Sequence, residues 1–276
     1  MNAFQNVLVG LDLSGVNAPA ILARACQIAD SDDIEVVHIC DHLHKRHQDY
    51  GASAFANSEE LDKRIIADAD SRLDDMCRNF GITHHKVLGG KTAAAMHDYA
   101  REHADLVVIG SHGRHGVQTV FGSTSNAVVH GTPCDVLAVH ISDDPGEQPA
   151  SYEYILVAVN LKAESTRVME RALQIAEASG ATVSACHAYS GFGIDAQAQE
   201  RRELEALGSR YGIDPDALHS MAGSTAEGVH DLARTIGADL IVVGTHGRHG
   251  LQLIKGSTAN AVLHGVHCDA LTVRVG

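Results

Sequence analysis

The chain is one unit written twice, and that duplication constrains its fold more than any other feature. The segment Asp105-Leu-Val-Val-Ile-Gly-Ser-His-Gly-Arg-His-Gly116 recurs as Asp239-Leu-Ile-Val-Val-Gly-Thr-His-Gly-Arg-His-Gly250, and both copies continue into Gly-Ser-Thr, then Asn-Ala-Val, His-Gly and Cys-Asp. The openings match as well: Val7-Leu-Val-Gly-Leu-Asp-Leu13 parallels Ile155-Leu-Val-Ala-Val-Asn-Leu161. The openings lie 148 residues apart and the glycine segments 134 apart, so the first copy carries 14 extra residues, between about His42 and Glu60. A stretch with two of the five prolines and no apolar periodicity, Ser142 to Tyr152, joins the copies as a linker. The expected domains are therefore 1–141 and 153–276.

Within each copy, short apolar runs alternate with segments of helical period. Residues 6–12 and 34–40 read as buried strands, and Ala18, Ile21, Leu22, Ala25, Cys26 and Ala29 form a helical stripe between them. A second stripe runs through Leu61, Ile65, Ala69, Leu73, Met76 and Phe80. Further strands are expected near Lys86–Leu88, Leu106–Ile109 and Asp135–Val139, with His84 and His85 just before the third. Five strands alternating with helices require a parallel sheet covered on both faces, because parallel neighbours can be joined only through crossovers. The expected fold is α/β: two tandem doubly wound, Rossmann-like units of five parallel strands. A ligand crevice in such a sheet opens beyond the carboxyl ends of the strands, where the winding reverses. The residues after strands one and four therefore carry the functional interest.

Strand four runs into Gly110 and Gly113, and Gly122-Ser123-Thr124 then opens a helix. Glycines let a backbone approach a ligand closely, and the N–H groups of a helix start attract anions, so the arrangement suits a phosphate chain. Packing alone also accounts for it: the glycines permit turns and Ser123 caps the helix. Gly244, Gly247, Gly256 and Ser257 repeat the loop. Asp12 closes strand one, where a carboxylate accepts hydrogen bonds from ribose hydroxyls or caps the following turn. Its counterpart Asn160 keeps an acceptor and loses the charge, so the two crevices are not equivalent.

Composition excludes several classes. Lys and Arg number 21 against 35 Asp and Glu, a formal charge of −14, which repels nucleic acid. Aromatic residues make up 4% and Trp is absent, leaving little material for stacking bases. No apolar run reaches a membrane-spanning length and the start lacks a signal peptide, so no membrane association and a cytoplasmic location are expected. Six cysteines without a CxxC pair read as reduced thiols. After strand two, Cys40-Asp-His42-Leu-His44-Lys-Arg-His47 offers His42, His44 and His47 as zinc ligands, although solvated loop histidines fit the pattern as well.

The acidic end of strand one, the histidine at the end of strand two (Val37-His38-Ile39-Cys40; Cys186-His187-Ala188-Tyr189) and the Gly-x-x-Gly…Gly-Ser loop together resemble the universal stress protein family, nearly end to end in both halves, in its tandem bacterial E-type form. The resemblance implies a cytoplasmic stress-response protein that binds ATP, with or without magnesium (Mg), as a regulatory module and not as an enzyme. It assigns Asp12 to ribose, the backbone near Ile39 to adenine, Gly110 and Gly113 to sugar and phosphates, and Gly122 and Ser123 to phosphates. Asn160, Gly244, Gly247, Gly256 and Ser257 take those places in the second half. ATP-binding members have nine residues before the Gly-Ser; Arg114–Phe121 and Arg248–Lys255 each count eight. Members with a degraded loop do not bind ATP, and the alternative reading is a scaffold that holds zinc or a small apolar ligand. The loop histidines do not form the HxGH motif of nucleotidyl transferases, and no catalytic acid or base is identifiable. The family also pairs its fifth strands, which implies an internal pseudo-dimer of the two halves and lets two chains associate as a homodimer.

Overall fold

The computed structural model describes residues 3–13, 17–41, 55–111, 122–141, 150–189, 193–245 and 257–275, with side chains from residue 60 in the helix that starts at Phe55 and from residue 259 in the one that starts at Ser257. The chain divides into two compact units, one built on the first repeat from Phe4 and the other on the second from Ala150.

The first unit runs β1 (Val7–Leu11), α1 (Ala18–Ile28), β2 (Ile34–Cys40), α2 (Phe55–Arg78), β3 (His84–Gly89), α3 (Thr92–His103), β4 (Leu106–Ser111), α4 (Ser123–Gly131) and β5 (Asp135–His140). Its strands lie in the order β3-β2-β1-β4-β5, and the β1–β2, β1–β4, β2–β3 and β4–β5 pairs are parallel. The second unit repeats the plan: β6 (Tyr154–Ala158), α5 (Ser165–Ser179), β7 (Thr182–Ala188), α6 (Ile194–Tyr211), β8 (Leu218–Met221), α7 (Thr225–Ile236), β9 (Leu240–Thr245), α8 (Ser257–Leu263) and β10 (Asp269–Arg274), ordered β8-β7-β6-β9-β10. These are the doubly wound parallel units expected from the alternation of runs.

Helices cover both faces, with α1 against α2 and α3 against α4, as right-handed crossovers on either side of β1 require. The central strands therefore consist of unbroken apolar residues: Val9, Val36, Val37, Leu106, Val107 and Val108 are fully enclosed, as are Leu156, Val157, Ile241 and Val242. Each such side chain contributes roughly 1.5–3 kcal/mol of burial free energy, so the cores hold the strand ends at fixed heights.

Two expectations shift locally. His84 and His85 belong to β3 itself, because a half-exposed edge strand tolerates polar residues that the apolar-run criterion rejects. Phe80 lies past the end of α2, in a turn whose N–H groups bond back to Cys77 and Arg78. Helix α2 has 24 residues against 18 in α6, so part of the extra length of the first copy is helical.

Candidate functional site

In the first unit the winding reverses between β1 and β4, so their carboxyl ends border the crevice. The β1 register runs to Leu11 opposite His38 and to Gly10 opposite Ile109. Asp12 follows immediately and is exposed, while Ile39, one step beyond His38, is buried. His38 Nδ1 lies 2.9 Å from the Leu11 carbonyl and ties the ends of β1 and β2 together. From α2, Arg72 donates from Nη2 to the Leu13 carbonyl at 2.6 Å, with its side chain still half exposed. A guanidinium thus braces the turn that presents Asp12. Sequence reasoning missed Arg72, because its partner lies 59 residues away.

At the end of β4, a Cβ on Gly110 would come within 2.8 Å of Ile21 Cδ1. The absent side chain is what lets α1 approach the sheet. Ser111 turns its hydroxyl down to the Val139 carbonyl at 2.9 Å. The Gly110 carbonyl accepts from Ser125 Oγ at 2.9 Å, which latches the first turn of α4 to the strand end. Gly122, not Ser123, is the N-cap of α4, and no side chain caps the helix. Ser123 and Thr124 are exposed in its first turn, where N–H groups have no carbonyl a turn behind them. Asp12, after β1, and the first turn of α4, latched to the end of β4, therefore both stand at the carboxyl edge of the sheet: a carboxylate after one strand and a helix start with two exposed hydroxyls after its neighbour.

The far end of α4 is held by a histidine. His97 Nε2, on α3, lies 3.0 Å from the Val128 carbonyl, and a Cβ on Gly131 would come within 2.0 Å of its ring. The second unit repeats the contact with His230 and the Val262 carbonyl at 2.7 Å. The His-Gly pair in each repeat thus leaves room for a ring from the preceding helix. The repeated Asp105 and Asp239 work at the opposite end of the sheet. Asp105 accepts from the N–H groups of Gln5 and Asn6 at 3.3 Å each, and Asp239 from those of Glu153 and Tyr154 at 2.7 and 3.2 Å.

The second crevice differs in its first residue. Asn160 Oδ1 accepts from Lys162 N and Ser165 Oγ, both at 3.0 Å, and the next residue, Leu161, adopts a left-handed φ of 57°, which is unfavourable for a side chain of that size. His187 Nδ1 lies 3.0 Å from the Val159 carbonyl, as His38 does from Leu11, but its Nε2 also meets Glu200 Oε2 at 3.0 Å. Gly244 packs against α5, where a Cβ would sit 3.0 Å from Val168 Cγ2. Thr245 repeats the downward hydroxyl, 3.4 Å from the Val273 carbonyl. Ala259 stands where Ser125 stands in the first unit, so the strand latch has no counterpart. Ser257 begins α8.

Gly113, Gly247 and Gly256 lie outside the described residues, as do His42, His44 and His47. Among the described residues no group of three or more His, Cys, Asp or Glu is arranged to hold a metal, and no helix is long and apolar enough to cross a membrane. None of the six cysteines forms a disulfide. Burial pushes the thiols of Cys186 and Cys268 up to about 12, away from nucleophilic chemistry.

The sequence profile described as the universal stress protein family matches residues 3–140 and 151–274. A Haemophilus influenzae protein named universal stress protein E homolog is 25% identical over 307 residues, spanning 98% of this chain and 97% of that protein. Universal stress protein A homolog 2 of Coxiella burnetii is 32% identical over 146 residues, 51% of this chain and 98% of that protein. In fold, the crystal structure of a universal stress protein from Archaeoglobus fulgidus superposes with a TM-score of 0.74 at 17% identity, covering 100% of this chain and 98% of the other.

Proposed function

Since the chain belongs to the universal stress protein family, we propose that it is a cytoplasmic stress-response module that binds an adenine nucleotide, ATP, at the mouth of its sheet and acts through binding and not through catalysis. One observation carries the reading: in the first unit the exposed Asp12 follows β1 and the exposed first turn of α4 is latched to the end of β4, the two strands between which the winding reverses. In this reading Asp12 accepts hydrogen bonds from ribose hydroxyls, and the backbone beside Ile39 borders the base. The N–H groups and hydroxyls of Ser123 and Thr124 donate to phosphate oxygens. Ser111 and Ser125 are excluded from that role, because their hydroxyls already serve carbonyls of the strands. Gly110 serves the ligand indirectly, by letting α1 close on β4.

The test is nucleotide analysis of the purified full chain, followed by equilibrium dialysis with radiolabelled ATP in the presence and absence of Mg. Co-purified adenine nucleotide, or a dissociation constant at or below ~1 mM, is expected; a binding free energy of about −4 kcal/mol suffices for that value. A chain that carries no nucleotide and binds none at that concentration overturns the reading.

A further inference from the structure

The second strand of each unit ends in the same histidine, and in the second unit that histidine has a further partner. His38 Nδ1 lies 2.9 Å from the Leu11 carbonyl, and His187 Nδ1 lies 3.0 Å from the Val159 carbonyl. His187 Nε2 also stands 3.0 Å from Glu200 Oε2 on α6. Helices α2 and α6 each run into a left-handed glycine, Gly81 and Gly212, and twelve residues before those glycines stand Ala69 and Glu200. The neighbour on the edge strand changes in the same sense, since Val87 pairs with His38 and Ser220 with His187.

A carbonyl oxygen and a carboxylate oxygen both accept, so acceptors face both ring nitrogens of His187. A neutral imidazole carries one N–H and would turn a lone pair towards one of them. The two contacts are satisfied together only when the pair holds one proton more than a neutral histidine and an ionised carboxylate. That proton belongs on the ring, because imidazole is the stronger base of the two. The side chains of His187 and Glu200 are 6% and 16% exposed, so little water is at hand to replace the contact once the proton leaves. Charged groups approach from several elements. Tyr189 on β7 meets the His187 ring edge-on, 6.5 Å between centroids. On β8, Leu218 packs on Gly208 of α6 and Met221 on Gly228 of α7. Ser220 therefore shares the α6 face with His187, while His219 lies on the other face, which α7 covers with Glu227 and His230. On α6, Asp195 stands in the first turn, Arg201 pairs with Glu205, and Glu203, one turn beyond Glu200, adds negative charge on the same side of the helix. Lys162, Glu164 and Arg167 lead into α5 at the same end of the strands, and Asp214 and Asp216 precede β8 at the opposite end.

We infer that His187 and Glu200 form a proton-operated clasp that ties the ends of β6 and β7 to α6, closed while the shared proton is held and released as the pH rises and the proton leaves. The clasp reaches the carboxyl edge of the second sheet, because the Val159 carbonyl that His187 holds immediately precedes Asn160. Ala69 cannot hold a proton, so the first unit has no counterpart at this position. The inference goes beyond the nucleotide reading and does not depend on it.

Nitrogen-15 NMR of the full chain with labelled histidine reads the proton directly, and the His187 signals are assigned by their loss in His187→Gln. Two protonated ring nitrogens are expected at about pH 6 and one at about pH 9. Hydrogen exchange of α6 amides, corrected for the intrinsic rate, is expected to lose about tenfold in protection over the same range. Glu200→Gln puts an amide N–H opposite a neutral ring, so the contact persists without the extra proton. That variant is expected to keep the protection of α6 and to lose its pH dependence, a distinction that a pair acting only through packing would not produce. Circular dichroism melting establishes that the variant is folded, and the wild-type measurements stand even if it is not. A His187 ring with a single N–H beside an ionised Glu200 at about pH 6, or α6 protection that does not follow the departure of the proton, would overturn the inference.

Discussion

Gly110 illustrates how one residue can be read for the ligand and yet be required by the core. Its hypothetical Cβ meets Ile21 at 2.8 Å, and the corresponding one on Gly244 meets Val168 at 3.0 Å. In both units a helix rests on the strand at this point. Gly110→Ala is expected to destabilise the first unit by about 1–3 kcal/mol through overpacking, and Ile21→Ala in the same chain should recover part of that loss. A denaturation double-mutant cycle measures the coupling, and additive losses would show that the two residues do not share the space. The motif glycine was legible in the repeat; its neighbour was not, because a contact between residues 21 and 110 leaves no mark in either local pattern.

At the scale of the element, α4 is pinned at both ends, and its position sets the geometry of the helix start that borders the crevice. The Ser125 hydroxyl fixes the first turn to the end of β4. Ser125→Ala leaves the Gly110 carbonyl without that donor, at an expected cost of about 1–2 kcal/mol, and should weaken ATP binding several-fold if α4 holds the phosphates. Urea melts paired with equilibrium dialysis separate the two effects, and intact affinity in the destabilised variant would argue against the phosphate role of α4. At the other end, Gly131→Ala drives a methyl into the His97 ring and breaks its bond to Val128. A loss of roughly 1–3 kcal/mol is expected, readable as a lower urea midpoint at unchanged slope. That His97 would be the partner was hidden for the same reason as Arg72: each lies on another helix, in a stretch whose own periodicity only says helix.

For the whole molecule, the titrating groups bound a pH window of stability. Burial lowers the pKa of His219 below its ordinary 6.5, so the unfolded chain takes up that proton first. The contribution is present above about pH 6.5 and is lost as the pH falls through the lower folded value. Burial acts in the opposite sense on the thiols of Cys77, Cys186 and Cys268, pushed up from 9.0 to about 11, 12 and 12. Their contribution is complete below pH 9 and is lost as the pH rises through those values. Stability is therefore expected to peak between about pH 6.5 and 9. Denaturant titrations across pH 5–10 check this, and His219→Gln should flatten the acid limb. A profile that rises continuously towards pH 10 would contradict the thiol assignment.

The amino-acid sequence by itself determined the duplication, the alternation of strands and helices, and hence five parallel strands in each unit with the winding reversing beside β1 in the first and β6 in the second. Each of these follows from periodicity and from the rule that parallel strands need crossovers. Asp12 and Asn160 could be placed at the mouths for that reason, since a strand end is a local property. What only the tertiary structure decided is what those residues touch: Arg72 on the Leu13 carbonyl, Glu200 on His187, Ser125 on Gly110, and Asn160 folded into its own turn. Apart from the Asn160 turn, which is local, these contacts join helices to strands, where the crossover geometry brings distant residues together, and no local pattern of hydrophobicity or charge records which side chain will arrive opposite which.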